Sequence, residues 1–456
     1  MYPAQQLGYP GWVLLVSALV GLVLFVSNAR LLVYLSLFLL FTTDAPAYAY
    51  ARLSVTGPFN LTDLLSLLCL AGALRVSRKG WSRMPVEGWA VVAVLAFGTL
   101  YTLATIGPVY EAMRAVRAAL LVPIFFYTGY HAISDARQAR TFVWIAALAC
   151  FIQSLRQVAF VAAYSSEASA PEWRTLRYLN AGLPSVPLAL LISGLASRLT
   201  TRAWLWIAVG LNGVAMFLTQ TRSLWIPQAM ACLWLTFESA RRDSFIRAVW
   251  IPLLASAVFL GTQFLLGATG ALTTSPSHVF VTGRSTDFSS GSGREEAMVL
   301  ELGHYQQGNL LEWVTGLGLG YSGGPQFDPQ VAWGHVGYVA YLSNLGLVGL
   351  FVFGVLLPWR GFVRGLALSR SGNPGLRAFG WLCCASLVSM TIGSFITGGL
   401  LTGYGCYIVM TATGAAASLA QESAAPARLP RASPAAVAGV RFTHGNPPAT
   451  GGTRPT

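Results

Sequence analysis

Apolar runs long enough to cross a lipid bilayer recur through most of this sequence, and they constrain its fold more than any other feature. They lie between Gly11 and Leu419, and most approach the ~20 residues that a helix needs to cross a hydrocarbon core of ~30 Å. The runs lack the alternation of apolar and polar residues that is typical of barrel strands. The sequence therefore predicts an all-α, polytopic membrane protein.

We expect about twelve transmembrane helices from these runs. Their approximate bounds are 11–29, 60–74, 87–106, 111–133, 141–163, 180–197, 203–220, 223–239, 248–268, 336–357, 376–396 and 400–419. The segment 31–43 is short for a crossing, so it is read as a second pass, a re-entrant piece or an interfacial segment. The side of the N-terminus depends on that choice.

The basic residues indicate the orientation, because short cytoplasmic loops collect Lys and Arg. Charged residues make up only 10% of the chain, and the net charge is +13. Placing the stretch RVSRKGWSR (75–83) in the cytoplasm also places the alternate connections there. Those connections hold Arg137, Arg140, Arg198, Arg202, Arg241, Arg242, Arg247, Arg360, Arg364, Arg370 and Arg377. The positive charge thus records orientation and does not indicate a nucleic-acid partner.

This topology divides the chain into four parts. Residues 1–269 and 336–420 form the N-terminal and C-terminal transmembrane helices. Residues 270–335 form one large external loop, which contains an amphipathic helical stretch (294–314) and a glycine-dense turn, TGLGLGYSGG. Residues 421–456 are rich in Pro, Ala and Gly, and we expect a disordered cytoplasmic tail.

The arginines left on the external side point to an anionic ligand. They are Arg30, Arg52, Arg114, Arg117, Arg156, Arg174, Arg177, Arg222, Arg284 and Arg294. Arg114 and Arg117 share one helical face, and Arg222 lies in a polar break between two apolar runs. An isolated arginine can simply snorkel to the surface, but charge at membrane depth is costly. Guanidinium groups donate paired hydrogen bonds to phosphates, so the set predicts a lipid-linked phosphate or diphosphate.

His335, the last residue of the loop, begins an apolar run. Its imidazole suits a general base or a hydrogen-bond partner of a substrate, or else an interfacial histidine paired with a carbonyl. The loop acids are helix-surface charges in this interpretation; they are Glu295, Glu296, Glu301 and Glu312. The sequence contains no Asp-x-Asp pair and no His/Cys cluster, so we expect neither a metal nor another cofactor.

Three stretches in this order resemble the O-antigen ligase and polymerase superfamily of bacterial envelope polysaccharide assembly. TQTRSLW resembles its arginine-containing break between two helices. GREEAMVLELG with NLLEWVTGLGLG resembles its loop helix and glycine turn, and GHVGYVAYLSNLGLVGLF resembles its His-led helix ending in Gly-Leu-x-Gly. The resemblance covers most of residues 60–420.

The resemblance implies a metal-independent glycosyltransferase of the bacterial inner membrane. It would move a glycan from an undecaprenyl diphosphate carrier to an acceptor at the periplasmic face. By position, Arg222, Arg294 and His335 match the functional residues, and Arg114, Arg117 and Arg284 are expected to help bind the diphosphate. Two residues depart from the family pattern, since Val336 replaces an Asn and Asn344 replaces an acid.

We expect the arginines to stabilise the leaving diphosphate and His335 to orient or deprotonate the acceptor hydroxyl, with inversion at the anomeric carbon. An O-antigen or exopolysaccharide polymerase, whose acceptor is another glycan, is favoured over a ligase that uses lipid A core or a protein. A transporter or flippase of the same lipid-linked glycan is the alternative of a different class. An inverted repeat would be its signature, and the sequence shows none.

Overall fold

A computed structural model describes residues 11–42, 61–77, 84–105, 109–164, 182–195, 202–219, 222–242, 299, 302–303, 305–319, 337–395 and 406–424. These residues form helices and short turns, without a strand among them, which confirms the all-α prediction. The helices are α1 (Gly11–Ser27), α2 (Ala29–Thr42), α3 (Leu61–Val76), α4 (Val86–Thr105), α5 (Val109–Ala132), α6 (Ala136–Tyr164), α7 (Ser185–Ser193), α8 (Arg202–Leu218), α9 (Arg222–Arg242), α10 (Leu310–Thr315), α11 (Gly337–Gly349), a π-helical segment (Leu350–Leu356), α12 (Leu357–Ser369), α13 (Pro374–Gly393) and α14 (Cys406–Ala424). The predicted span 248–268 lies outside the described residues.

Four stretches of the described helices are long and apolar enough to cross a membrane, as a helical membrane protein requires. They are Val86–Ala104, Ala136–Ala159, Gly337–Ser369 and Pro374–Gly393. Shorter apolar helices accompany them; these are Val16–Ser27, Ala29–Thr42, Ala119–Ala132 and Ala203–Leu218. Buried residues make up 67% of the last of the four long stretches, so it lies inside the bundle. It packs against α6, α7, α9, α12 and α14.

One end of the bundle gathers the arginine-rich connections, and we call it the basic end. There the imidazole Nδ1 of His131 in α5 lies 2.6 Å from the hydroxyl of Ser77, which follows α3. Gly375, near the start of α13, lies beside Ala136 at the start of α6. α14 continues through Ala424, beyond the boundary predicted for the tail, and its Gln421 accepts a hydrogen bond from Tyr130 at 2.7 Å.

The described part of the short segment 31–43, residues 31–42, belongs to α2, which passes through the interior of the bundle. Its start is at the basic end, because Arg75 at the end of α3 donates to the backbone carbonyls of Phe25 and Val26, just before α2. Its other end is fixed by Arg156, which donates to the carbonyl of Thr42 at 2.7 Å. α2 therefore runs antiparallel to α3, and half of its side chains are buried against neighbouring helices.

The core depends on close helix crossings. At the crossing of α5 and α14, a Cβ on Gly129 would overlap the carbonyl of Thr411, and a Cβ on Gly414 would overlap that of Phe126. Small residues are the usual means by which membrane helices approach each other closely. Several thiols of the apolar runs are small packing groups in this core; those buried are Cys69, Cys150, Cys383 and Cys384.

Candidate functional site

The end opposite the basic end holds the candidate site, and we call it the loop end. α4 and α5 define it, because Gly88 near the start of α4 lies beside Phe126 near the end of α5. The end of α4 and the start of α5 therefore point to the opposite end. Thr102 in α4 and Arg117 in α5 lie toward this loop end.

Arg117 is held by an acid that the sequence analysis did not single out. Its Nη1 lies 3.5 Å from Oδ2 of Asp63 in the first turn of α3, and the two side chains are 21% and 9% exposed. An acid in the first turn is stabilised by the helix dipole. A charged residue in an apolar span usually has a functional role or a charged partner. On that ground the sequence alone could have singled out Asp63.

The predicted amphipathic stretch 294–314 is not one helix in its described part. Gly308 makes a turn with Tyr305, and Asn309 caps a new helix, α10, by accepting from the amide of Glu312 at 3.1 Å. The carboxylate of Glu312 in turn accepts from the amide of Asn309 at 2.8 Å, which completes a capping box. Local capping thus ends the preceding helix and redirects the chain.

Tyr305 ties this turn to α10. Its hydroxyl donates to the carbonyl of Trp313, and the two rings stack with centroids 6.3 Å apart. Burial against α10 raises the pKa of the Tyr305 hydroxyl, and the neutral hydroxyl donates this hydrogen bond.

The glycine turn after α10 docks into a break in α11. The amide of Leu317 donates to the carbonyl of Ser343 at 2.7 Å, and the amide of Gly318 donates to that of Asn344 at 3.3 Å. These carbonyls are available because the helix is interrupted at Gly346, where φ is 66° and ψ is −163°. A Cβ on Gly346 would overlap the carbonyl of Val314. The break therefore requires glycine.

The same turn is anchored on α4. The amide of Leu319 donates to the hydroxyl of Thr102 at 2.6 Å, and that hydroxyl donates to the carbonyl of Gly98 at 2.6 Å. The hydroxyl of Tyr101 donates to Glu312 at 3.4 Å. Glu312 was interpreted as a surface charge, but it faces α4. We call the contacts of residues 309–319 with 98–102 and 343–346 the loop seat.

The start of α11, directly after the stretch that contains His335, packs on the end of α13. The amide of Tyr338 donates to the carbonyl of Ser394 at 3.3 Å, and the rings of Tyr338 and Phe395 lie 4.4 Å apart. After the break at Gly346 the chain continues into the π-helical segment, a rare form that often occurs at functional sites. The loop seat and the start of α11 thus share the loop end.

The predicted site residues are only partly described. Arg117 lies at the loop end beside Asp63. Arg222 begins α9, and Arg114 lies one turn before Arg117 in α5. His335, Arg294 and Arg284 lie outside the described residues, so their predicted roles stay predictions. Among the residues that the structure describes, no three His, Cys, Asp or Glu side chains come together as a metal site would require.

No protein-family model matches the chain, and no curated protein matches it. The resemblance to the O-antigen superfamily therefore depends on the three sequence stretches alone. Parts of two of them, residues 309–319 and 343–346, meet in the loop seat.

Proposed function

We propose that this protein is a metal-independent glycosyltransferase that moves an undecaprenyl-diphosphate-linked glycan to an acceptor at the periplasmic face of the bacterial inner membrane. The observation that carries the proposal is the loop seat. Two separate stretches that resemble the same superfamily interlock through backbone hydrogen bonds, at the end of the bundle that also holds Arg117.

The proposed topology has about twelve spans, with the loop end in the periplasm and the basic end in the cytoplasm. The positive-inside rule supports it, because the connections at the basic end carry the arginines. Residues 270–335 would then form the large periplasmic loop. This arrangement brings the loop arginines, Arg284 and Arg294, to the same side as Arg114, Arg117 and Arg222.

The proposed reaction is a single displacement. The acceptor hydroxyl attacks the anomeric carbon of the donor while the bond from that carbon to the diphosphate oxygen breaks, so the product has inverted configuration. His335 takes the proton of the hydroxyl, and undecaprenyl diphosphate leaves. Arg222 and Arg294, with Arg114, Arg117 and Arg284, would stabilise the charge that grows on the leaving group.

We favour a polymerase over a ligase, because no feature of the sequence is special to a lipid A core acceptor and Asn344 departs from the superfamily pattern. Asn344 stands where the superfamily has an acid, and its side-chain amide donates to the carbonyl of Ala340 at 2.7 Å. A carboxylate has no proton to donate in this contact. Asn344 thus supports its own helix beside the loop seat, in a contact that an ionised acid at this position would not make.

The deciding experiment is transfer by the purified protein in detergent, with a lipid-linked repeat unit as donor. We expect polymer to form without added metal. The same assay with lipid A core as acceptor distinguishes a polymerase from a ligase, because a ligase would glycosylate the core. His335→Ala and Arg294→Ala should abolish transfer while both variants remain folded, whereas Arg360→Ala, exposed near the basic end, should leave it intact. Normal polymer from His335→Ala would refute the assigned role of that residue.

The same preparation also tests the transporter alternative, because no membrane separates donor from acceptor in detergent. Absence of every transfer product, together with movement of the lipid-linked repeat across vesicles that contain the protein, would overturn the proposed enzyme.

A further inference from the structure

The outward side of α10 is almost entirely apolar and exposed. Leu310 is 80% exposed and Leu311 is 57% exposed, and Trp313 and Val314 are also exposed. We call these four residues the outer face of α10. A surface helix in water normally turns such residues inward, so the outer face requires an apolar environment.

The polar groups of α10 are turned away from the outer face. Glu312, its one charged residue, contacts the capping amide of Asn309 and the hydroxyl of Tyr101. The hydroxyl of Thr315 donates to the carbonyl of Leu311 within the helix, at 2.7 Å. The outer face therefore carries no charge and would not be costly to place in lipid.

The loop seat lies within the length of two candidate membrane spans. Thr102 belongs to the stretch Val86–Ala104, and Asn344 belongs to the stretch Gly337–Ser369. With a rise of 1.5 Å per residue, Asn344 lies about 10 Å from the first residue of α11. The loop seat thus lies beside the last two turns of α4 and the first two turns of α11, within both stretches.

The spans that hold α10 also expose apolar side chains on their own surfaces. Leu100 and Leu103 on α4, and Leu347 and Val348 on α11, are exposed close in sequence to the residues of the loop seat. Side chains in these positions on a crossing helix face acyl chains. The outer face continues this lipid-facing surface.

We infer that α10 is a membrane-embedded part of the loop, whose outer face is inserted among the acyl chains of the leaflet at the loop end. Its partner is the lipid bilayer itself. Trp313 fits this position, since tryptophan is enriched where acyl chains meet headgroups. The inference does not depend on the proposed transfer reaction; it requires only that α4 and α11 cross the membrane.

The test measures the environment of a nitroxide label on Leu311→Cys in full-length protein reconstituted into phosphatidylcholine vesicles. Collisions with oxygen, which concentrates in lipid, are compared with collisions with a water-soluble nickel chelate. Gln307→Cys, exposed in the preceding turn of the same loop, is the matched control. The parent protein with its native cysteines gives the background signal.

We expect oxygen to collide with the label at 311 several times more often than the nickel chelate does, and the reverse at 307. Equal access of the nickel chelate to both positions would overturn the inference, because the outer face would then lie in water. Protection of 311 from both reagents would also overturn it, since protein would then cover the face. Leu310→Cys gives an independent second position if Leu311→Cys does not fold.

Discussion

The guanidinium of Arg117 lies 3.5 Å from the carboxylate of Asp63, so the start of α3 and the first half of α5 are joined by an ion pair at the loop end. Both groups are largely withdrawn from water, and removing one of them leaves the other charge poorly compensated. Asp63 also fixes the direction of an arginine that we propose to contact the donor diphosphate.

A double-mutant cycle tests this pair. Asp63→Asn and Arg117→Gln should each lower the free energy of unfolding by roughly 1–3 kcal/mol, and the double variant should cost less than the sum of both. Thermal unfolding in detergent gives the values. Under the proposed function, Asp63→Asn should lower transfer in the parent but have no further effect on transfer in Arg117→Gln. Additive losses of stability would show that the two charges do not interact.

Gly346→Ala should disrupt the loop seat. The substitution forces a Cβ into the carbonyl of Val314 at a residue with φ of 66°, and such strain costs roughly 1–3 kcal/mol before any clash is counted. Proteolysis of the loop should accelerate, and thermal stability should fall. Gly303→Ala is the matched control, because a Cβ there meets nothing within 4 Å. Equal behaviour of the two variants would contradict the interlock.

Much of the helical framework could be predicted from the sequence, because the hydrophobic pattern is local. The ends of the helices were less predictable. α11 was expected to end near residue 357, where the apolar run meets Pro358 and Arg360, yet the helix continues as α12 to Ser369. Proline is tolerated in the first turn of a helix, and the π-helical segment supplies that new start. A rule based on apolar length cannot foresee this continuation.

The contacts of the candidate site were not predictable, because they join distant segments. Nothing near Thr102 in the sequence indicates that Leu319 will donate to it. Likewise, the glycines at 316 and 346 were read as parts of two separate motifs, although each leaves room for the backbone of the other stretch. Asp63 itself could have been singled out as a charge in an apolar span, but its partner could not, since Arg117 lies on another helix.

A buried ion pair near the basic end gives a third prediction. Arg364 in α12 contacts Glu87 in the first turn of α4, whose side chain is almost fully buried. Glu87→Gln should cost roughly 3 kcal/mol, because a largely buried guanidinium then loses its counter-charge. Arg360→Gln, on the exposed side of the same helix, should change stability by less than about 0.5 kcal/mol. Similar melting temperatures for both variants would show that the pair contributes little.

Two threonines one turn apart on α4 separate the contribution of the loop seat from that of the helix itself. The hydroxyl of Thr102 accepts from the amide of Leu319, whereas the hydroxyl of Thr99 is buried without a hydrogen-bond partner in the described structure. Thr102→Val should cost about 1–3 kcal/mol, because the amide of Leu319 is left buried and unpaired. Thr99→Val removes an unpaired polar group of the same shape, so it should be neutral or slightly stabilising.

Unfolding in detergent compares the two variants with the parent, and loop proteolysis shows whether residues 309–319 detach. We expect Thr102→Val to expose the loop to protease while Thr99→Val behaves like the parent. Valine replaces threonine at nearly equal volume in both variants, so packing is matched. They differ in the hydrogen bonds that Thr102 makes, from the amide of Leu319 and to the carbonyl of Gly98 in its own helix. If both variants lose stability equally, Thr102 does not hold the loop on α4. The backbone hydrogen bonds to α11 would then be the contacts that hold the loop in place.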